Sequence, residues 1–329
     1  MAHTRSAAPG RGAALLLALV GLVAAGCGAD EAAPSGDGAC AELRVVATTS
    51  ILGDVVGNVV GDSKRVEVLI PIGADPHSFQ ASAAQAVALR EADVVVVNGL
   101  GLEEGLQEVV ASAAADGVTV VEAASFIEAL PLNEAAAHEN QDGAVGDEDR
   151  GSLDPHIWTD PQRMADVVTG LGEALAEADP DCAGAWRTAA EAYRRQLQDL
   201  DGEIEAILDA IPAEQRKLVT NHHAFGYFAD RYGFEVLGAI IPGGAAFAAP
   251  SPADLAALVE ILRSEGVRAI FAETTQSADL AGALAAELGE GVEVVSLYTG
   301  SLGESGSGAD TYAGMQRVNA ERIAAALTP

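Results

Sequence analysis

Runs of valine, leucine and isoleucine recur along the chain, separated by short polar turns. LRVVATT (Leu43 to Thr49), RVEVLI (Arg65 to Ile70), DVVVVNG (Asp93 to Gly99) and GVTVVE (Gly117 to Glu122) read as strands, and KLVT, EVLGAII, VRAIFA and VEVVSL form a second series after residue 216. Continuous apolar runs, rather than strict alternation, are the pattern of strands covered on both faces, as in parallel sheets. Helical stretches lie between them. ILGDVVGNVVG follows the first strand and a helix through AAQAVALREA follows the second. In the second series, helices are predicted to open at His222, at Ser251-Pro252, near Ser277 and at Asp310-Thr311, the last capped by Asp310. Strand–helix alternation in units of ~30 residues predicts an α/β fold with mainly parallel sheets.

Two features divide the series. Pro131 to Leu153 has no periodicity and carries Glu134, Glu139, Asp142, Asp147, Glu148 and Asp149 with His138 among them, which reads as an acidic surface loop. Asp160-Pro161 is an N-cap followed by a first helical residue, and Asp179-Pro180 stops the helix they open. A longer helix runs from about Ala183 to Ala210, with Trp186, Tyr193, Leu197, Leu200, Ile204 and Ile207 on a helical period. At 1.5 Å per residue it is about 42 Å long, enough to run the length of a small lobe. The organisation expected is an N-terminal α/β lobe over 43–182, a linking helix over 183–211 and a C-terminal α/β lobe over 212–329, with a cleft between the lobes.

The first 26 residues lie outside this scheme. Arg5 and Arg11 precede the apolar run Ala13 to Val23, which is too short to span a bilayer, and small residues follow at Ala24-Ala25-Gly26. That is a secretory signal peptide. Cys27, directly after Ala-Ala-Gly, resembles the lipobox cysteine that is diacylated and becomes the mature first residue, anchoring the protein to the outer face of the cell membrane. Residues 27–42 read as a flexible tether. Cys40 and Cys182 are then an even pair in an oxidising compartment, open to a disulfide or to two buried thiols. The chain's formal net charge of −31 makes nucleic acid and anionic lipid surfaces poor partners and attracts cations.

The candidate chemistry sits on three histidines: His77 in GADPHSFQ, His156 in DPHIWTDP and His222 in TNHHAFGYF. Each belongs to a turn marked by Pro or Asn, and neutral imidazole suits zinc, copper, iron and nickel better than magnesium or calcium. The spacings of 79 and 66 residues mean that only the fold can assemble one site from them. His77 and His222 follow predicted strands, where ligands of α/β proteins bind. Glu273, ending a strand in IFAETTQS, can point into the cleft or orient a histidine N–H; Glu304 lies on a Gly/Ser-rich loop that can swing in.

In combination, VVATTSILGDVV, GADPHSFQ, DPHIWTDP, HHAFGYFADRYG and SLYTGSLGESGSGADTY resemble the solute-binding lipoproteins of zinc and manganese ABC importers over essentially the whole mature chain. The resemblance implies two α/β lobes joined by a rigid backbone helix with one metal between them, a monomer that hands the ion to an ABC permease and its ATPase and does no chemistry. By position, His77 and His156 match the two first-lobe ligands, and His222 matches a third that is histidine in zinc importers and glutamate in manganese ones. His223 is then a neighbour of the site, and His138 a loop residue. The family's usual aspartate in a YTDS-like segment is replaced by Gly300, leaving water, Glu304 or Glu273 as the fourth donor. Three imidazoles favour Zn²⁺ over Mn²⁺. The reading of a different class is a zinc hydrolase, because three histidines with an open fourth position also describe a catalytic zinc site.

Overall fold

The structure, a computed structural model, describes residues 43–61, 66–132, 153–241 and 250–329. The signal segment, the tether with Cys27 and Cys40, and His138 with most of the acidic loop lie outside the described residues.

Two four-stranded sheets organise the chain. The first holds β1 (Val45–Ala47), β2 (Val66–Val68), β3 (Val94–Val97) and β4 (Thr119–Glu122) in the order β2-β1-β3-β4. The second holds β5 (Lys217–Thr220), β6 (Glu235–Ala239), β7 (Ala269–Glu273) and β8 (Glu293–Leu297) in the order β6-β5-β7-β8. Every pairing is parallel. The helices between strands are α1 (Ser50–Val60), α2 (Ala83–Glu91) and α3 (Gln107–Ala115) in the first half, and α6 (Gly226–Tyr232), α7 (Pro252–Ser264) and α8 (Asp279–Leu288) in the second. This is a two-lobe α/β fold. The central strands β1 and β7 are buried along their whole length, as continuous apolar runs require. The edge strands β2 and β8 instead expose Glu67 and Glu293, because only one flank of an edge strand is covered.

Between the sheets run α4 (Pro161–Ala178) and α5 (Ala183–Leu208), and α9 (Tyr312–Leu327) closes the chain. Asp160 caps α4, accepting from the N–H groups of Gln162 and Arg163, with Pro161 in the first turn. Trp186, Tyr193, Leu197, Leu200 and Ile204 of α5 are buried on one stripe, and Leu208 rather than Ile207 completes it. At 26 residues α5 is about 39 Å long, and it packs on α4, α9 and α1, so one stiff rod touches elements of both lobes. Cys182, at its start, is disulfide-bonded.

One expected helix start and one expected cap are displaced. The chain after β5 makes a turn through Asn221 to Phe225 and becomes helical only at Gly226, so His222 sits in a turn and not on a helix. Thr311, not Asp310, caps α9 by accepting from Gly314 N–H; the Asp310 carboxylate instead accepts from Gly306 N–H. The ends of the acidic segment are pinned together, since Pro131 and Leu153 form an antiparallel bridge and Asp154 N–H donates to Leu130 O at 2.8 Å.

Opposite outcomes are expected for two substitutions on α5. Leu197 is 1 % exposed, so Leu197→Ala should cost about 2–5 kcal/mol in urea unfolding. Gly202 is exposed with open space where a Cβ would go, so Gly202→Ala should raise stability by about 0.5–1 kcal/mol.

Candidate metal centre

Strand order places the site. In both sheets the chain reverses direction across the sheet beside its first strand, between β1 and β3 and between β5 and β7, and ligands of open α/β sheets bind beyond the carboxyl ends of strands at such points. At the second switch point, His222 lies two residues past β5 and Glu273 ends β7. The first switch point is filled by protein. Glu103, 6 % exposed, accepts from Thr48 Oγ1 at 2.5 Å and from Asn98 N–H at 2.7 Å, and burial pushes its carboxyl above the usual range. The Asn98 amide in turn donates to Pro155 O at 2.8 Å, which fixes the turn that carries His156.

The sequence Asp-Pro-His occurs twice and folds the same way twice. Asp75 Oδ1 accepts from His77 N–H at 3.0 Å, and Asp154 Oδ1 from His156 N–H at 2.9 Å. These are Asx turns, in which a short carboxylate mimics a backbone carbonyl. Only the second reaches the ring: Asp154 Oδ1 lies 2.8 Å from His156 Nδ1. Gly226 leaves room for that carboxylate, since a Cβ there would collide with Asp154 Oδ2. On the other lobe Glu273 does the same for the third histidine. Its Oε1 is 2.5 Å from His222 Nδ1 and its Oε2 accepts from Thr299 Oγ1 at 2.7 Å.

All three rings are buried and converge. His156 Nε2 lies 3.2 Å from His77 Nε2 and 3.0 Å from His222 Nε2, and the three candidate ligand atoms all fall within 4.8 Å of one another. Two nitrogens bound to one tetrahedral zinc at 2.0–2.1 Å are roughly 3.4 Å apart, so the spacing is that of donors around one small ion. With Nδ1–H of His156 and His222 directed at carboxylates, their Nε2 lone pairs face each other, and a positive charge has to lie between them. Among the described residues this is the one such cluster of histidine, cysteine and acidic side chains.

Electrostatics divides the three rings. Burial, followed by the nearby His156 and His222, lowers His77 to about 2, so it is neutral and ready to ligate. Burial opposes charge on His222 too, but the Glu273 carboxylate and its hydrogen bond outweigh it and raise His222 above its ordinary value. Burial likewise works against charge on Glu273, and His222 beside it prevails, holding that carboxyl below the usual range.

The remaining candidates fall outside this cluster. Glu273 hydrogen-bonds a ligand-bearing ring from behind. Glu304 is exposed in a turn whose carbonyl accepts from Ser307 N–H. His223 lines a separate cavity of about 440 Å³ with Asp154, Asp230 and Glu235, and burial, then His222, lower it to about 4. Trp158 Nε1 donates to Thr299 O at 2.8 Å, and its ring packs edge-on to His156. The repeated Asp-Pro-His was the available signal for the Asp154 contact.

Comparison with known proteins shows the family. A family model described as the zinc-uptake complex component A, periplasmic, matches residues 45–326. The manganese-binding lipoprotein MntA of Halalkalibacterium halodurans is 35 % identical over 314 residues, covering 95 % of this chain and 97 % of its own. The zinc-binding protein TroA of Treponema pallidum is 30 % identical over 287 residues, covering 86 % and 88 %. The solved structure of TroA superposes with a TM-score of 0.75 at 30 % identity, over 87 % of this chain and 99 % of that one.

The raised pKa of His222 fixes a pH dependence. A metal ion needs the bare imidazole, so it must displace the His222 proton. His77, depressed to about 2, has none to give at neutral pH. Affinity should therefore fall as pH drops, with a proton released from His222 on binding wherever that imidazole is still charged in the free protein. Calorimetry in buffers of different ionisation enthalpy measures this release directly, and a count of zero would show that His222 is already neutral in the free protein.

Proposed function

The chain belongs to the family of the periplasmic zinc-uptake complex component A, and we propose that it is an extracytoplasmic receptor whose His77, His156 and His222 bind Zn²⁺ for delivery to an ABC importer. The family is one of solute-binding receptors for metal transport, not of enzymes. The observation that carries the zinc reading is the convergence of three imidazole nitrogens with no carboxylate oxygen among them. Zinc accepts nitrogen donors readily, whereas manganese prefers carboxylate, carbonyl and water. Relatives are named for both metals, so the donor set of this chain, not kinship, supports the choice. A water or an exchangeable anion completes the four-coordinate shell in this reading.

The rest of the receptor follows from the sequence. Acylation of Cys27 tethers the protein to the outer face of the membrane, as relatives named lipoproteins suggest, and residues 27–42 give it reach. Cys40 is the partner we assign to the Cys182 disulfide, stapling the entry of β1 to the start of α5. The ion's recipients are the permease and ATPase of the importer, and the protein acts as a monomer with lobes over 43–182 and 212–329. No described helix is long and apolar enough to cross a membrane.

A competition titration of the metal-free protein should give zinc the higher affinity, and equal or tighter manganese binding would overturn the zinc reading. Singly, His77→Ala, His156→Ala and His222→Ala should each weaken zinc binding severely, while His223→Ala, whose ring lines a different cavity, should change it little. Loss of binding in His223→Ala with retention in His222→Ala would shift the site by one residue.

A further inference from the structure

The first switch point, filled by protein, contains a strained turn. Among the described residues Leu100 is the only non-glycine with a left-handed backbone, at φ 54°, and it stands between Gly99 at φ 90° and Gly101 at φ 80°. A Cβ is disfavoured there, and such strain persists where surrounding contacts impose it. Leu100 N–H donates to Glu122 Oε1 at 3.2 Å, and the turn brings Glu103 back to the strand ends, where its carboxylate accepts from Asn98 N–H and from the Thr48 hydroxyl. From there the segment reaches both first-lobe ligand turns. Gly105 packs on Phe79 O, two residues past His77, with no room for a Cβ. Asn98 Nδ2 donates to Pro155 O at 2.8 Å. The same carbonyl accepts from Ile157 N–H at 2.9 Å, and His156 between them has φ −83° and ψ 46°, so His156 is the centre of an inverse γ-turn whose closing carbonyl is held by Asn98.

We propose that Asn98 is a positioning residue of the metal centre: its amide, aimed by Glu103, holds the carbonyl on which the His156 turn closes and so sets where His156 Nε2 stands between the other two nitrogens. The division of labour is between ring and backbone. Asp154 fixes the ring through Nδ1, and Asn98 fixes the main chain from which the ring projects. His156 is the ring for which this matters most, because its Nε2 lies 3.2 Å from His77 Nε2 and 3.0 Å from His222 Nε2, so a shift of its turn alters both distances. Asn98 is 1 % exposed, and its amide supplies a buried donor without placing a positive charge beside the incoming ion. This rests on the receptor reading above.

The test is zinc titration of metal-free, full-length Asn98→Ala, with the visible absorption of the cobalt(II)-loaded protein reporting coordination geometry and thermal unfolding as the control for folding. Removing a group that orients a metal ligand weakens binding about 10–100-fold, and a loss of that size is expected here. The cobalt(II) band, intense in a tetrahedral shell, should weaken, because one imidazole is no longer held in place. An asparagine that only supports the core would lower the unfolding temperature and leave the affinity and the cobalt(II) band as in the parent. If Asn98→Ala does not fold, Asn98→Ser, which stays polar but is too short to reach Pro155 O, is measured in its place with the same losses expected. The proposal is overturned if the folded variant keeps the parent's zinc affinity or the parent's cobalt(II) band, or if neither variant folds. A parent protein that binds no zinc refutes the receptor reading itself, a result separate from all of these.

Discussion

Everything at the centre of this molecule answers to the crowding of three imidazole lone pairs. Bare nitrogens 3.0 and 3.2 Å apart repel, and that repulsion is removed only by a cation or a proton between them. The protein prepares for the cation by fixing the rings from behind. Asp154 and Glu273 each accept from an Nδ1, which settles the tautomer and aims Nε2 inward. Below about pH 6.5 the arrangement costs stability in the free protein, since burial, with His156 and His222 beside it, drives His77 far below its ordinary pKa. A ligand that neutralises this cost binds the assembled form and not the unfolded one, and so stabilises it.

Polar contacts join the two lobes close to the three histidines. Trp158 O accepts from Tyr312 Oη at 2.8 Å and from Gln316 Nε2 at 2.7 Å, while its indole reaches Thr299. Ser50 Oγ accepts from Leu302 N–H at 3.0 Å and Asp54 Oδ2 from Tyr312 N–H at 2.9 Å. These bonds place the first helix of one lobe against the last segment of the other. The long α5 packs on α1, α4 and α9, so the rod and the ligand turns share neighbours. Lobe orientation and ligand geometry are therefore a single problem, solved by the segment from Thr299 to Gln316.

Much of this was legible in the sequence because it is local. Strand runs, the Asp160-Pro161 start of α4 and the stripe on α5 express periodicity and capping, which single segments encode. The three histidines were legible because each lies in a short turn with its own signature. What escaped was non-local or decided by competition between neighbours. The turn at Asn221 to Phe225 delays α6 because Thr220 Oγ1 and Ala224 N–H both donate to His222 O, a local closure that periodicity does not register. Thr311 outcompetes Asp310 as cap because the Asp310 carboxylate is already engaged by Gly306. The indole bond of Trp158 depends on Thr299, 141 residues away, and the amide bond of Asn98 depends on Pro155; neither contact leaves a trace in local composition.

The two sheets share one strand order, and the candidate ligand nitrogens are split between the lobes built on them. His77 and His156 come from turns that the first half of the chain can form, but the third nitrogen, its Glu273 support and the Thr299 segment all belong to the second. Neither half of the polypeptide therefore holds the complete set of candidate donors. A chain that is still being made, or is threaded unfolded across a membrane, offers the ion only scattered imidazoles. Capture begins when folding ends, and so the compartment in which the chain completes its fold is the compartment whose metal it samples.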